Sequence, residues 1–135
     1  MLNDTDHSEE KKSPPMGRGF ASLLSDYTNN ALSLDQHLIT KPAATYILRS
    51  SNDAMAPTIV PQDLLIVDRS LTHAQGMIVL ATWEGDFVCR RFFQFPQFIE
   101  LRADNSAHAT IKILQEQAND FSIWGVVTYV IHQTT

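Results

Sequence analysis

Cysteine is almost absent: Cys89 stands alone in 135 residues, so no intramolecular disulfide can form. Secreted domains of this size usually depend on such bridges, and the expectation is a cytoplasmic protein. Long apolar runs are missing too. No stretch reaches the roughly 18 residues of a membrane span, and the segment from Met1 to Pro15 is polar with mixed charge, unlike a secretion signal. Positive charge is scarce, with ten Lys and Arg against fifteen Asp and Glu and a formal net charge of -5. That balance argues against direct nucleic-acid binding, which needs cations to neutralise phosphates. The five histidines, His7, His37, His73, His108 and His132, are scattered and have no cysteine at zinc spacing, so neither a metal nor another cofactor is expected.

What the chain does have is apolar content, 44% of residues, enough for one core. Its distribution is uneven. Met1 to Arg18 is rich in charge, carries Pro14-Pro15 and holds few apolar side chains, so it reads as a flexible N-terminal arm. It is too short for a helix-turn-helix reader. Residues 19–135 read as a single folded domain. Short apolar runs bounded by turn residues predict strands at Thr45–Arg49, Leu64–Val67, Met77–Thr82, Phe87–Phe93, Phe98–Leu101 and Ile123–Ile131. One short helix is expected at Leu34–Leu38, capped by Ser33. The fold class is mostly β.

Two segments bear on chemistry. Ser51-Asn52-Asp53-Ala54-Met55 resembles the Ser-Gly-Asp-Ser-Met motif of the LexA/UmuD family of self-cleaving Ser-Lys peptidases. Gly85-Asp86-Phe87-Val88-Cys89-Arg90-Arg91-Phe92 is similar to that family's lysine-bearing strand. The resemblance runs on through Asp63-Leu64-Leu65-Ile66-Val67-Asp68, Asp104-Asn105-Ser106 and Trp124-Gly125-Val126-Val127, and it spans Gly19 to about His132. It implies an irregular, LexA/UmuD-like β-fold that dimerises. Ala54 falls at the position of the nucleophilic serine and Arg90 at that of the general-base lysine. The bond that the family cleaves would be Arg18–Gly19, with a long cation in place of a small residue.

A Ser-Lys peptidase needs a hydroxyl to attack and a neutral amine to take its proton. Ala54 has no hydroxyl, and an arginine at position 90 keeps its proton at any physiological pH. The dyad therefore reads as catalytically dead. Ser50 and Ser51 are nearby hydroxyls, but a nucleophile displaced by a few Å loses its alignment, and they are expected to serve the turn instead. An alternating strand places Val88, Arg90 and Phe92 on one face and Phe87, Cys89 and Arg91 on the other. Arg90 then calls for a carboxylate, with Asp53 and Asp68 as candidates, unless it faces solvent. Among the aromatics, Phe93 and Phe95 are expected to be most exposed. The closing strand, apolar on both faces, is a candidate interface.

The partners implied by the resemblance are a second copy or an active UmuD, a UmuC-type polymerase subunit and a RecA filament, in an SOS-response translesion polymerase. Nucleic acid and membrane are not expected as direct partners. The alternative is an active RecA-stimulated peptidase whose serine has been replaced to trap the uncleaved form. A signal peptidase, which shares the scaffold, would need a membrane anchor and the same serine. A DNA-binding repressor would need a reader domain and basic charge.

Overall fold

The computed structural model describes residues 33–135, which fall into two units parted between His37 and Leu38. The predicted arm, Met1 to Arg18, lies outside the described residues. Helix α1 occupies Leu34–Leu38 as predicted. Its first turn is capped by the Ser33 hydroxyl, which accepts the Gln36 N–H at 3.3 Å.

The second unit is built on one antiparallel sheet of seven strands: β1 (Thr45–Arg49), β2 (Leu64–Asp68), β3 (Ile78–Trp83), β4 (Asp86–Gln94), β5 (Phe98–Arg102), β6 (Ile111–Leu114) and β7 (Phe121–Ile131). Their order across the sheet is β1-β2-β7-β3-β4-β5-β6. Six of the seven coincide with predicted strands to within two residues at each end. The hairpin joining β3 and β4 turns through Glu84 and Gly85, both at positive φ (52° and 87°), the two-residue geometry that matches strand twist.

β6, at one edge, leads into β7 in the interior through a single 3-10 stretch, Gln115–Asp120. Laid flat, those strands would be four spacings apart, about 19 Å. Six residues of 3-10 helix rise only about 12 Å. The sheet must therefore curl.

Two bulges in β7 accentuate the bending. Thr128 is the extra residue opposite Ile66/Val67, and Trp124 the extra residue opposite Leu80/Ala81. Each shifts the alternation by one, so β7 feeds both faces of the sheet. On one face Val79, Ala81, Phe92, Leu101, Ile113 and Val126 form a buried core, with Val88, Phe121 and Ile123 packed against it. On the other, Met55, Ile59, Leu65, Val67 and Leu80 form a second core, joined by Leu48, Cys89, Trp124 and Val130. Between the bulges Gly125 passes so close to β2 that a Cβ there would lie 2.6 Å from a Val67 methyl, so any larger residue must displace Val67.

This placement corrects one expectation. The closing strand is apolar on both faces because it is an interior strand with a core on each side, so its pattern needs no partner protein to explain it. A second correction concerns the aromatics. Phe93 and Phe95 are half-buried: Arg102 stacks over both rings, at 4.2 and 5.9 Å, and Phe98 stacks on Phe95. Among the described residues the exposed phenylalanine is Phe87, at 60%. No helix among the described residues is long and apolar enough to cross a membrane.

Candidate functional site

The loop between β1 and β2 carries the Ala54 segment and closes the second core. Its local structure follows from residues that favour turns. Asn52 accepts the Ala54 N–H on its side-chain oxygen at 3.0 Å, an Asx-turn. The Ala56 N–H reaches the Asp53 carbonyl and the Ile59 N–H the Met55 carbonyl. The peptide bond between Ala56 and Pro57 is cis. Ala54 and Met55 are buried at 1% and 2% exposure, so the turn points its apolar residues inward.

A second turn, following β5, locks onto this one. The Asn105 N–H donates to the Ala54 carbonyl at 3.0 Å, and the Asn105 side-chain amide donates to the Asp53 carbonyl at 3.0 Å. His108 Nε2 lies 2.8 Å from an Asp53 carboxylate oxygen. Asp104 extends the tie to the sheet. It accepts the Thr58 hydroxyl at 2.6 Å and a two-pronged pair from Arg91 on β4, at 2.8 and 3.1 Å. Burial pushes the Asp104 carboxyl up, but the Arg91 and Thr58 hydrogen bonds and the arginine charge outweigh it and hold the group below the usual carboxylate range. At the far end of the loop the Asp63 carboxylate, 3% exposed, meets His132 Nδ1 at 2.7 Å and accepts the Val60 N–H. Three of the sequence segments that resemble the peptidase family therefore converge: the Ala54 turn, β4 and the Asp104–His108 turn.

Beside the Ala54 turn lies a cleft of about 400 Å³, lined by Leu48, Met55, Leu80, Phe87, Cys89 and Trp124 among others, with Ser50, Ser51 and Asn52 at its polar side. β4 contributes Phe87 and Cys89 to this lining. Arg90 alternates with them, pairs with Val79 across β3 and shares its face with Val88 and Phe92, as the strand periodicity predicted.

The expected carboxylate partner for Arg90 is not found among the described residues. Asp53 is taken by His108, and Asp68 by the hydroxyl and N–H of Ser70. Arg90 instead donates from Nη1 to the carbonyl of its own neighbour Cys89, and its buried Nε has no partner. Burial pushes its pKa down, and no carboxylate opposes the shift. The arginine that does hold a carboxylate is the adjacent Arg91, which the alternation directs to the other side.

Ala54 offers a methyl. The Ser50 hydroxyl sits 3.4 Å from the Asn52 carbonyl. The Cys89 thiol is pushed up by burial to about 11, offset in part by Arg90 and reinforced by Asp104, so it carries no thiolate near neutrality. Sequence reasoning singled out Ala54 and Arg90 but missed the Arg91–Asp104–Thr58 tie and the two His–Asp contacts. Asp104 had registered only as part of a turn, and no local pattern announces a partner 13 or 46 residues away. Arg18 and Gly19 lie outside the described residues.

With this geometry in place the comparison with known proteins is direct. Residues 16–128 match the peptidase S24-like family, a family of serine peptidases, and the chain belongs to it. Its relatives include ImpA of Salmonella typhimurium, 36% identical over 118 residues that make up 86% of this chain and 78% of ImpA. SamA of the same species, strain LT2, is 36% identical over 117 residues, covering 86% of this chain and 79% of SamA. MucA of Escherichia coli is 32% identical over 114 residues, 82% of this chain and 75% of MucA.

Proposed function

We propose that this chain is a non-catalytic, UmuD-like accessory subunit of an error-prone translesion DNA polymerase, acting in the cytoplasm as part of the SOS response. The observation that carries this reading is Ala54: a buried methyl stands in a hydrogen-bonded turn where the family's serine belongs. Arg90 supports it, because a guanidinium cannot serve as the general base even when burial lowers its pKa. In this reading residues 1–18 are an arm ending at the Arg18–Gly19 bond, and residues 19–135 form a dimerisation domain. The domain pairs with a second copy or with an active UmuD, and the dimer engages a UmuC-type polymerase subunit. A RecA filament stimulates processing only where the partner supplies the nucleophile.

The test is the intact mass of the chain before and after incubation with RecA, single-stranded DNA and ATP, alone and mixed with an active UmuD. Alone, no mass change is expected. Loss of Met1 to Arg18 in the mixture identifies a subunit processed by its partner. Loss in the isolated chain overturns the reading. The Ala54→Ser variant separates the alternative: a peptidase merely trapped by loss of its serine regains self-cleavage with that one change, whereas here Arg90 still leaves the hydroxyl without a base.

A further inference from the structure

β1 is an edge strand, and its hydrogen-bond register shows what the edge offers. Ala44 accepts the Arg69 N–H and Ser50 donates to Asp63, so by alternation Ala44, Tyr46, Leu48 and Ser50 direct their backbone groups toward β2. Thr45, Ile47 and Arg49 point theirs the other way. The Thr45 N–H is spent on the Pro42 carbonyl. That leaves the Thr45 carbonyl and both backbone groups of Ile47 and Arg49 on an open edge among the described residues.

Among the described residues this edge carries one charged guard, Arg49, at its end. β1 has no proline, lysine or bulge, and it exposes apolar side chains, with Ile47 56% and Tyr46 43% accessible. It is also self-complementary. Placed antiparallel to a second copy about a twofold axis at Ile47, the strand pairs over its full length. Ile47 exchanges two hydrogen bonds with its twin, and each Arg49 N–H meets the other copy's Thr45 carbonyl. No like charges oppose one another, because Arg49 faces Thr45. A register centred on Arg49 would set arginine against arginine and shorten the overlap.

In the full register the residue opposite Leu48 is the second copy's Tyr46, on the face where Leu48 and Trp124 line the cleft. Within its own chain Tyr46 already lies edge-on to Trp124, 5.0 Å between ring centres. We infer that two copies of this chain join through β1 into a continuous sheet, and that each sets its Tyr46 beside Leu48 at the rim of the other's cleft. This rests on the dimeric part of the proposed function and names the surface involved.

Two measurements on the full chain test it. Hydrogen exchange of the unmodified protein should slow at the Ile47 and Arg49 amides on the order of tenfold between dilute and concentrated samples, while the β2-paired Tyr46 and Leu48 amides stay protected throughout. Under mild oxidation, Ile47→Cys should form a disulfide-linked dimer, since directly opposed residues lie about 5.5 Å apart. Arg49→Cys should cross-link to Thr45→Cys in a mixture but not to itself. Sedimentation read alongside keeps the conclusions apart. A monomer at every concentration overturns the dimeric reading and this inference together. A stable dimer with fast-exchanging Ile47 and Arg49 amides and no Ile47→Cys cross-link overturns only the β1 interface and leaves the edge to another protein's strand.

Discussion

The two faces of the sheet are built by different means. On one, the core is drawn from strands in alternation, broken only at the Trp124 bulge of β7, and Val79, Ala81 and Leu101 are wholly buried without help from any loop. On the other, the strands supply half a core and the irregular Ser50–Asp63 loop supplies the rest through Met55 and Ile59. That loop is held less by apolar area than by polar ties at its two ends. Asp53 and Thr58 join the Asp104–His108 turn, and Asp63 meets His132. A regular face tolerates little change of volume; a stitched face depends on which hydrogen bonds survive.

The largest effect should come from the regular face. Leu101→Ala should cost about 3 kcal/mol by denaturant unfolding, because a fully buried side chain leaves a cavity between β4 and β6. Gly125→Ala, on the strand shared by both faces, should cost about 2 kcal/mol, since its methyl must displace Val67. On the stitched face Asp104→Asn should cost about 1.5 kcal/mol in unfolding, and exchange should accelerate in the Ala54 turn more than in β3. If Asp104→Asn loosens β3 as much as the turn, the two faces are not separable.

A gentler probe of the same contrast is pH. Asp104 and Asp63 both have folded pKa values below the ordinary carboxylate range, despite burial that pushes each upward. For a depressed carboxyl the stabilisation is complete above the unfolded value near 4 and is lost as pH falls through and below it. The melting temperature should therefore drop as pH is lowered from 5 toward 3, as a trend expected of carboxylates generally. Asp104→Asn should flatten part of that slope, whereas Leu101→Ala should shift the curve without changing its shape. The smallest expected effect concerns Cys89. With the thiol at about 11, alkylation should stay slow at neutral pH and rise only in strongly alkaline buffer, provided the face remains closed.

The same division explains what could be read from sequence. Alternating apolar runs with β-branched residues announced β1 through β5 and β7, because each face of those strands has a single environment along most of its length. β6 escaped notice: Ile111-Lys112-Ile113-Leu114 is four residues long, with glutamines following and no flanking glycine or proline to frame it. The bulges at Trp124 and Thr128 were equally hidden, since an inserted residue leaves no compositional mark. The Ala54 turn was legible as a motif. Its stitching was not, because Arg91, Asp104 and Thr58 meet only once the sheet has curled. Arg90 was expected to seek Asp53 or Asp68, but Asp68 bonds Ser70 two residues on and Asp53 meets His108.

The position of β7 has a consequence for how the protein is made. The strand that follows all others in the chain lies between β2 and β3, in the middle of the sheet. Until it emerges from the ribosome, β1–β2 and β3–β6 are two separate ribbons: the first holds part of the second core, and the other holds a further part of that core and most of the first core. Neither core closes before Phe121–Ile131 arrives. The arrival of this strand is therefore the step that makes one body of two, and the nascent chain depends on it outrunning the other associations its open edges invite.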